Sequence, residues 1–170
     1  RVSAALRWNL GDYTLTSITA YRDWDTHNRN PFNTQPVPLL TLNGTDQNQH
    51  QFSEELRIAS PVGETIDYVA GLFFFKQSLS NRTTQKIDLG QLLGLAPAGA
   101  FIGSSNKTSD VDTKNYAAFG EANFNITDEL TLNAGARLTH IDVQMHNKAA
   151  PFPGTILLPT VTLGTIDDNQ

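Results

Sequence analysis

Four charged side chains lie in segments that are predicted to be β-strands, where they could form salt bridges with one another or contact a polar partner. They are Glu55, Arg57, Glu121 and Arg137. Successive strand residues point to opposite faces, so each same-strand pair at i and i+2 shares a face. Folding residues 116–142 into a hairpin places Glu121 opposite Asn133 or Gly135, about one diagonal step from Arg137. We expect these four residues to line a wet wall, either as a contact surface or as a ladder of salt bridges and hydrogen bonds.

A second group combines aromatic and basic side chains in or beside the polar stretches that separate the strand segments. Its members are Trp24, His27, Arg29, Phe32, Phe101 and Phe152. Aromatic rings and guanidinium groups suit a rigid ligand that is partly aromatic or anionic. The same residues would also serve in loop packing or in an interfacial aromatic belt. The sequence leaves both roles open.

No motif for catalysis, cofactor binding or metal binding stands out. A nucleophile elbow, a Gly-rich phosphate loop and a zinc-protease helix are all missing from the 170 residues. Glu54 and Glu55 are adjacent and point to opposite faces, so they cannot act as a pair on one substrate. Cysteine is absent, and the four histidines are scattered rather than spaced as metal ligands. We therefore expect no enzymatic activity, no cofactor and no metal.

Residues 116–142 show which kind of element positions these side chains. One face of this hairpin carries Ala118, Gly120, Ala122, Phe124, Leu130, Leu132, Ala134, Ala136 and Leu138. The other face carries Glu121, Asn123, Thr131, Asn133, Arg137 and Thr139. Period-two alternation with one apolar and one polar face predicts a sheet that lies between an apolar medium and water.

The same hairpin unit occurs three times, and a long polar segment follows each copy. Strands are predicted at 2–10, 13–24, 51–59 and 66–77 and in the two arms of 116–142, with tight turns near Gly11, at 60–64 and at 125–129. Residues 25–49, 78–112 and 143–170 read as long loops, with a short helical turn or packed loop at 92–103. For the strand 13–24, the alternation does not show which residues belong to the apolar face and which to the polar face. Glu54 interrupts the apolar face of 51–59, and we place it above the membrane, near the loop.

Composition favours a membrane wall over a compact soluble core. Hydrophobic residues make up 39% of the chain, and the mean hydropathy is −0.31. Transmembrane barrels are this polar because half of each strand faces a wet lumen. The net charge of −5 and the lack of a Lys/Arg run give no support for nucleic-acid binding. Six strands are fewer than the roughly eight of the smallest membrane barrels, so we expect the chain to be a segment of a larger barrel.

The strand sequences resemble the barrel of TonB-dependent outer-membrane receptors. The similar stretches are YTLTSITAYR at 13–22, QFSEELRIAS at 51–60, YVAGLFFF at 68–75, YAAFGEANF at 116–124 and LTLNAGAR at 130–137. They cover nearly every predicted strand, and their order and spacing are more specific than any one of them.

The resemblance implies a bacterial outer-membrane barrel of about 22 strands with a plugged lumen, short periplasmic turns and long extracellular loops. We read residues 1–170 as part of that barrel domain, with neither a plug nor a segment that contacts TonB. The implied partners are outer-membrane lipid, the plug of the same full-length chain, the TonB complex and a nutrient ligand. Glu55, Arg57, Glu121 and Arg137 would then face the lumen and plug.

The commonest cargo that this resemblance implies is a ferric siderophore, and glycans or other nutrients are the second choice. Two further functions stay open. One is a passive porin-type barrel without TonB coupling. The other is a soluble secreted β-sandwich that binds carbohydrate or mediates adhesion, in which the apolar faces would pack on each other.

Overall fold

The computed structural model describes residues 1–29, 40–63, 65–94, 97, 99–127, 129–150, 156–157 and 167–169. Six long strands form one antiparallel sheet in sequence order. They are β1 (Val2–Leu10), β2 (Tyr13–Arg29), β3 (Leu40–Ala59), β4 (Ile66–Asp88), β5 (Ile102–Thr127) and β6 (Leu130–Ala150). The expected all-β antiparallel architecture is confirmed. Two short strands join the sheet near its end: β7 (Ile156–Leu157) pairs with β5, and β8 (Asp167–Asn169) pairs with β6.

Tight turns connect the strands within each of the three hairpins, as the sequence predicts. Gly11 and Asp12 connect β1 to β2, residues 60–65 connect β3 to β4, and β5 and β6 follow each other almost directly. Gly11 and Gly63 have φ angles of 64° and 95°, which residues with a side chain rarely adopt. All three turns lie at one end of the sheet, which we call the turn end. The opposite end is the loop end.

The strands are much longer than the sequence pattern predicts, and the loops are correspondingly shorter. Parts of the segments 25–49, 78–112 and 143–170 are strand, and Asp88 at the end of β4 still pairs with Ile102 at the start of β5. These extensions are rich in Thr, Ser, Asn and Gln on both faces, so no apolar alternation marks them. Cross-strand backbone hydrogen bonds hold them instead. A strand of 23 residues such as β4 is about twice the length that a bilayer requires.

A single helical turn, α1 (Leu89–Leu93), connects β4 to β5 at the loop end. It begins three residues before the predicted segment 92–103. The Asp88 carboxylate caps it by accepting from the backbone N–H of Gln91 at 3.1 Å, and also accepts from Gly99 N–H at 2.7 Å. No helix among the described residues is long and apolar enough to cross a membrane.

The pairing register divides the sheet into two faces. The apolar face carries Leu6, Trp8, Leu15, Leu56, Leu72, Phe74, Tyr116, Ala118 and Leu138, and the mixed face carries Glu55, Arg57, Glu121, Arg137 and their row partners. The register also decides how β2 faces. Leu15 pairs with Ile58 and Tyr21 with Phe52, so the odd-numbered residues of β2 belong to the apolar face.

Two rows of aromatic rings border the apolar face. Near the loop end, Phe52, Phe74, Tyr116 and His140 form a continuous row with ring centroids 6.2, 5.1 and 6.5 Å apart. Near the turn end, the rings of Tyr13 and Tyr68 are 6.5 Å apart. From Ile66 to Lys76 on β4, the apolar band measures about 33 Å along the strand, or about 25 Å at a strand tilt of about 40°. That height matches the hydrocarbon layer of an outer membrane.

Glu54 lies inside this band, between Phe52 and Leu56, rather than beyond it as we expect from the sequence. Ser17 Oγ and Thr19 Oγ1 donate to its two carboxylate oxygens at 2.7 and 2.5 Å. These hydroxyls belong to β2, so they hold the carboxylate on the side of β3 that faces away from β4. The two donors satisfy a charge that would otherwise be costly on an apolar face.

The described strands form one layer without a hydrophobic core. Ala117, at 7% exposure, is the sole buried apolar residue among the described positions. Large apolar side chains on the apolar face stay open, and Leu138 and Leu6 are 79% and 72% exposed. Within the described ranges, no second layer of strands covers this face, as a soluble β-sandwich would require.

Replacing Gly71 with alanine should destabilise the sheet. A Cβ at Gly71 would lie 2.5 Å from Phe119 Cζ and 2.9 Å from the carbonyl oxygen of Leu56. The ring could swing away, but the Leu56 carbonyl belongs to the paired backbone. We expect Gly71→Ala to lower the free energy of unfolding by about 1–3 kcal/mol in urea titrations of the refolded full-length protein. Gly120→Ala is the control, because its Cβ would meet nothing nearer than 3.8 Å. Equal free energies of unfolding for the two variants would contradict the predicted steric conflict at residue 71.

Removing the Asp88 charge should loosen α1 and the segment up to residue 101. The Gly99 and Gln91 N–H groups lower the pKa of the Asp88 carboxyl below its ordinary value. The stabilisation is therefore complete above the unfolded-state pKa and is lost as the pH falls below about 4. In Asp88→Asn, we expect amide-exchange protection of Gln91 and Gly99 at neutral pH to fall roughly fivefold. Asp12→Asn, in the exposed first turn, should leave both amides unchanged, and equal protection in Asp88→Asn would refute the cap.

Candidate functional site

The mixed face brings together the four charged residues that the sequence places on a wet wall. Arg57 pairs with Gly71, which pairs with Phe119, which pairs with Arg137, so this row crosses four strands. Glu121 lies opposite Gly135, which is one of the two expected positions. Because these residues share one face at similar heights, they form a continuous surface on the wall.

Arg137 is held by aromatic rings rather than by a carboxylate. Its guanidinium carbon lies 5.6 Å from the ring centroid of Phe73 and 5.8 Å from that of Phe119. Its Nε donates to Thr139 Oγ1 at 3.2 Å. Cation–π contacts of this kind fix the plane of the guanidinium and leave its remaining N–H donors available. Gly71 has no Cβ, and this leaves room for the Phe119 ring.

The carboxylates of the wall have their own partners. Glu121 Oε1 accepts from Asn133 Nδ2 at 2.6 Å, and the same nitrogen lies 2.7 Å from Asn123 Oδ1. Arg57 Nε lies 3.3 Å from Glu55 Oε1, with both side chains partly exposed. Such an exposed pair contributes little stability by itself. The wall therefore presents a hydrogen-bonded polar network beside a cation held on aromatic rings.

Trp24 belongs to the mixed face, on the part of β2 that extends beyond the apolar band. It is 42% exposed, and the guanidinium carbon of Arg22 lies 5.6 Å from the centroid of its ring. Gln49 and Gln51 stand opposite Trp24 and Arg22 on β3. Together they form an open patch with one ring, one cation and two amides, which suits a flat or anionic ligand.

His27 and Arg29 lie on the other face of β2, away from Trp24. His27 Nδ1 and Arg29 Nη2 lie 3.0 and 2.7 Å from the same oxygen, Asp46 Oδ1. Hydrogen bonds from His27 and then from Arg29 lower the pKa of the Asp46 carboxyl, so it stays ionised in neutral solution. Asp46 thus partly neutralises the two basic side chains that the sequence groups with Trp24.

The remaining aromatic candidates are not brought to the Trp24 patch. Phe101 is 54% exposed beside α1, and its carbonyl accepts from Leu89 N–H at 2.8 Å. Trp24 pairs with Gln49 on β3, which in turn pairs with Leu79 on β4. Leu79 is nine residues from the end of β4, where Asp88 pairs with Ile102, so Phe101 lies about 30 Å from Trp24 along the sheet. Phe32 and Phe152 lie outside the described residues.

Arg22 is the functional candidate that the sequence reasoning missed. It lies two residues before Trp24 in a strand, and this spacing alone puts both side chains on one face. The predicted strand 13–24 already contained both residues, but Trp24 was grouped with the loop residues that follow it, so its partner within the strand was overlooked. Among the described residues, no group of three or more His, Asp or Glu side chains could hold a metal ion.

Comparison with known proteins identifies this architecture. The family model described as "TonB dependent receptor-like, beta-barrel" matches residues 1–169. No curated protein matches the chain. Among solved structures, the ferric yersiniabactin uptake receptor FyuA from Yersinia pestis is similar, with a TM-score of 0.72 and 16% sequence identity.

The alignment with FyuA covers 99% of this chain and 23% of that receptor, so the chain spans about a quarter of its length. At this identity the likeness establishes the fold alone: six strands here follow the course of a receptor barrel wall. The family match extends over almost the whole sequence and agrees with the resemblance seen in its strands. The chain belongs to the TonB-dependent receptor-like β-barrel family.

Proposed function

We propose that these residues form six consecutive strands of the wall of a bacterial outer-membrane receptor, and that this receptor takes up a ferric siderophore with energy supplied through TonB. Proteins of this family are outer-membrane transporters rather than enzymes. The observation that carries the proposal is the uncovered apolar face, which is bordered by aromatic rows at the height of a bilayer. Outer-membrane lipid is the medium that would cover it.

The mixed face would then line the lumen. Glu55, Arg57, Glu121 and Arg137 lie on that face within the height of the apolar band, where the plug of the full-length chain would contact them. The Arg137 guanidinium keeps donors available for carboxylates or backbone carbonyls of such a plug. The remaining partners, TonB and its complex, would act on that plug and not on this segment of wall.

The Trp24 patch supports an anionic aromatic cargo. It lies on the lumen side beyond the band, where ligand arriving from outside would meet it. Arg22 and Trp24 can contact one ligand at once, because the guanidinium is already placed over the ring. The similarity to a ferric yersiniabactin uptake receptor agrees with a ferric siderophore as the cargo class. Siderophores are rigid when they hold iron and offer aromatic or charged oxygen donors.

Cysteine substitutions test which face meets lipid. The chain has no native cysteine, so each introduced thiol is unique within it. In the full-length protein, Thr131→Cys, Asn133→Cys and Thr139→Cys should react with a water-soluble maleimide. Fluorophores at Leu132→Cys, Ala134→Cys and Leu138→Cys should be quenched by lipid-borne probes. Reversal of the two sets, or water access to both, would refute the membrane wall.

Substitutions on β2 test the cargo site. We expect Trp24→Ala and Arg22→Gln each to weaken binding of ferric catecholate chelates about tenfold, because the first removes stacking on the ring and the second removes a charge-assisted contact to the anionic ligand. His27→Ala is the matched control and should bind normally, because it lies on the opposite face. Radiolabelled iron uptake by cells should also stop when the inner-membrane proton gradient is dissipated. Uptake that persists without the gradient would indicate a passive porin-type barrel.

A further inference from the structure

The apolar face carries two lysines directly opposite each other at the edge of the apolar band. Lys76 on β4 pairs with Lys114 on β5, and both side chains are exposed. Directly opposite residues in an antiparallel pair have Cβ atoms about 5 Å apart, and like charges in that arrangement are destabilising. No ion pair in the described part of the chain includes either lysine. The position therefore favours an anion that could lie between the two ammonium groups.

The carboxylates around the lysines are placed beside them rather than between them. Asp142 pairs with Lys114 on the side away from Lys76, and Asp112 accepts from Ser78 Oγ at 2.5 Å one step toward the loop end. Glu54, one step toward the turn end, is held by the hydroxyls of β2. The space between Lys76 and Lys114 is thus left for a ligand.

A groove lies directly below the lysines. Two residues toward the turn end, Phe74 pairs with Tyr116 and their ring centroids are 5.1 Å apart. Two residues further, the small Ala118 stands between Leu72 and Leu138. These side chains border a concavity of about 640 Å³ that is mostly apolar and whose lining also includes Glu54, Thr139 and His140. A cationic rim above rings and an acyl-sized groove match an amphiphile with an anionic head.

We propose that Lys76, Lys114 and the groove beneath them bind a phosphate-bearing lipid of the surrounding leaflet, with the phosphate between the lysines and an acyl chain against Ala118. The inference rests on the proposed function, because it requires the apolar face to meet lipid. The aromatic row places Phe74 and Tyr116 at the headgroup level, which is where a lipid phosphate lies. The site would attach a specific lipid to the outside of the wall, opposite the lumen.

A fluorophore on Leu138→Cys tests this site in the full-length protein. The protein is reconstituted in phosphatidylcholine vesicles that contain a small, equal fraction of bromine-labelled phosphatidic acid or bromine-labelled phosphatidylcholine. We expect phosphatidic acid to quench residue 138 more strongly. That preference should fall about fivefold for each of Lys76→Gln and Lys114→Gln, which corresponds to about 1 kcal/mol per basic side chain at a membrane surface.

Control variants distinguish a specific lipid site from a general attraction between basic side chains and anionic lipid. The double variant Lys76→Gln/Lys114→Gln should lose the preference at residue 138. Its matched control, Arg82→Gln/Lys148→Gln, removes the same charge from the same face, but Arg82 and Lys148 are separated by Thr108 and lie six residues nearer the loop end. It should retain the preference at residue 138. A label at Leu6→Cys, on the same face but away from the groove, should show no preference. Added inorganic phosphate should not displace the lipid, because the acyl chain contributes to binding.

The outcomes distinguish this inference from the proposed function. Equal quenching by both lipids, or equal loss of preference in the Lys76/Lys114 and Arg82/Lys148 double variants, would overturn the lipid site and leave the membrane wall intact. Displacement by inorganic phosphate would show a simple anion site and overturn the role of the groove. If neither lipid quenches residue 138, the face does not meet lipid, and both conclusions fail.

Discussion

The structure depends on one constraint: a single layer of strands cannot bury its own apolar face. Among the described residues only Ala117 is a buried apolar side chain, while Leu72 and Leu138 remain open to whatever surrounds the sheet. Backbone hydrogen bonds are satisfied across the interior of the sheet, but its first and last strands need neighbours. In lipid each unpaired backbone group costs several kcal/mol, so such a wall is stable only within a closed barrel. The family to which the chain belongs is one of β-barrels, in which such neighbouring strands are present.

The two faces of the sheet differ in how their charged side chains are held. On the apolar face, aromatic rows fix the height of the band, and the one carboxylate within it, Glu54, is satisfied by two hydroxyls. Beyond the rings, charged side chains begin in the row of Lys76 and Lys114. On the mixed face, Arg137 lies on Phe73 and Phe119 and is not tied to an acid. These two rings fix the position of the Arg137 guanidinium without using its N–H donors.

The strand extensions at the loop end carry the residues for which we propose a role in ligand binding. Rigid strands, rather than loops, carry Trp24 and Arg22 beyond the band, so their spacing is fixed before a ligand arrives. The same strand places His27 and Arg29 on the outside, where Asp46 holds both. The buried Asp88, at 2% exposure, gives the connection between β4 and β5 its own anchor through Gly99 and Gln91.

Three hairpins, their tight turns and the facing of most strands can be predicted from the amino-acid sequence, because period-two alternation and glycine turns are local signals. The sequence also indicated the family through the strand stretches, and it predicted that Glu55, Arg57, Glu121 and Arg137 share one face of the sheet. The strand ends required the paired sheet, because the polar extensions are held by cross-strand hydrogen bonds that leave no apolar pattern in the sequence. The paired sheet likewise decided the facing of β2, the separation of Trp24 from His27 and the rings around Arg137. Each of these depends on which residue of a neighbouring strand stands opposite, and that register is a property of the paired sheet rather than of any one strand.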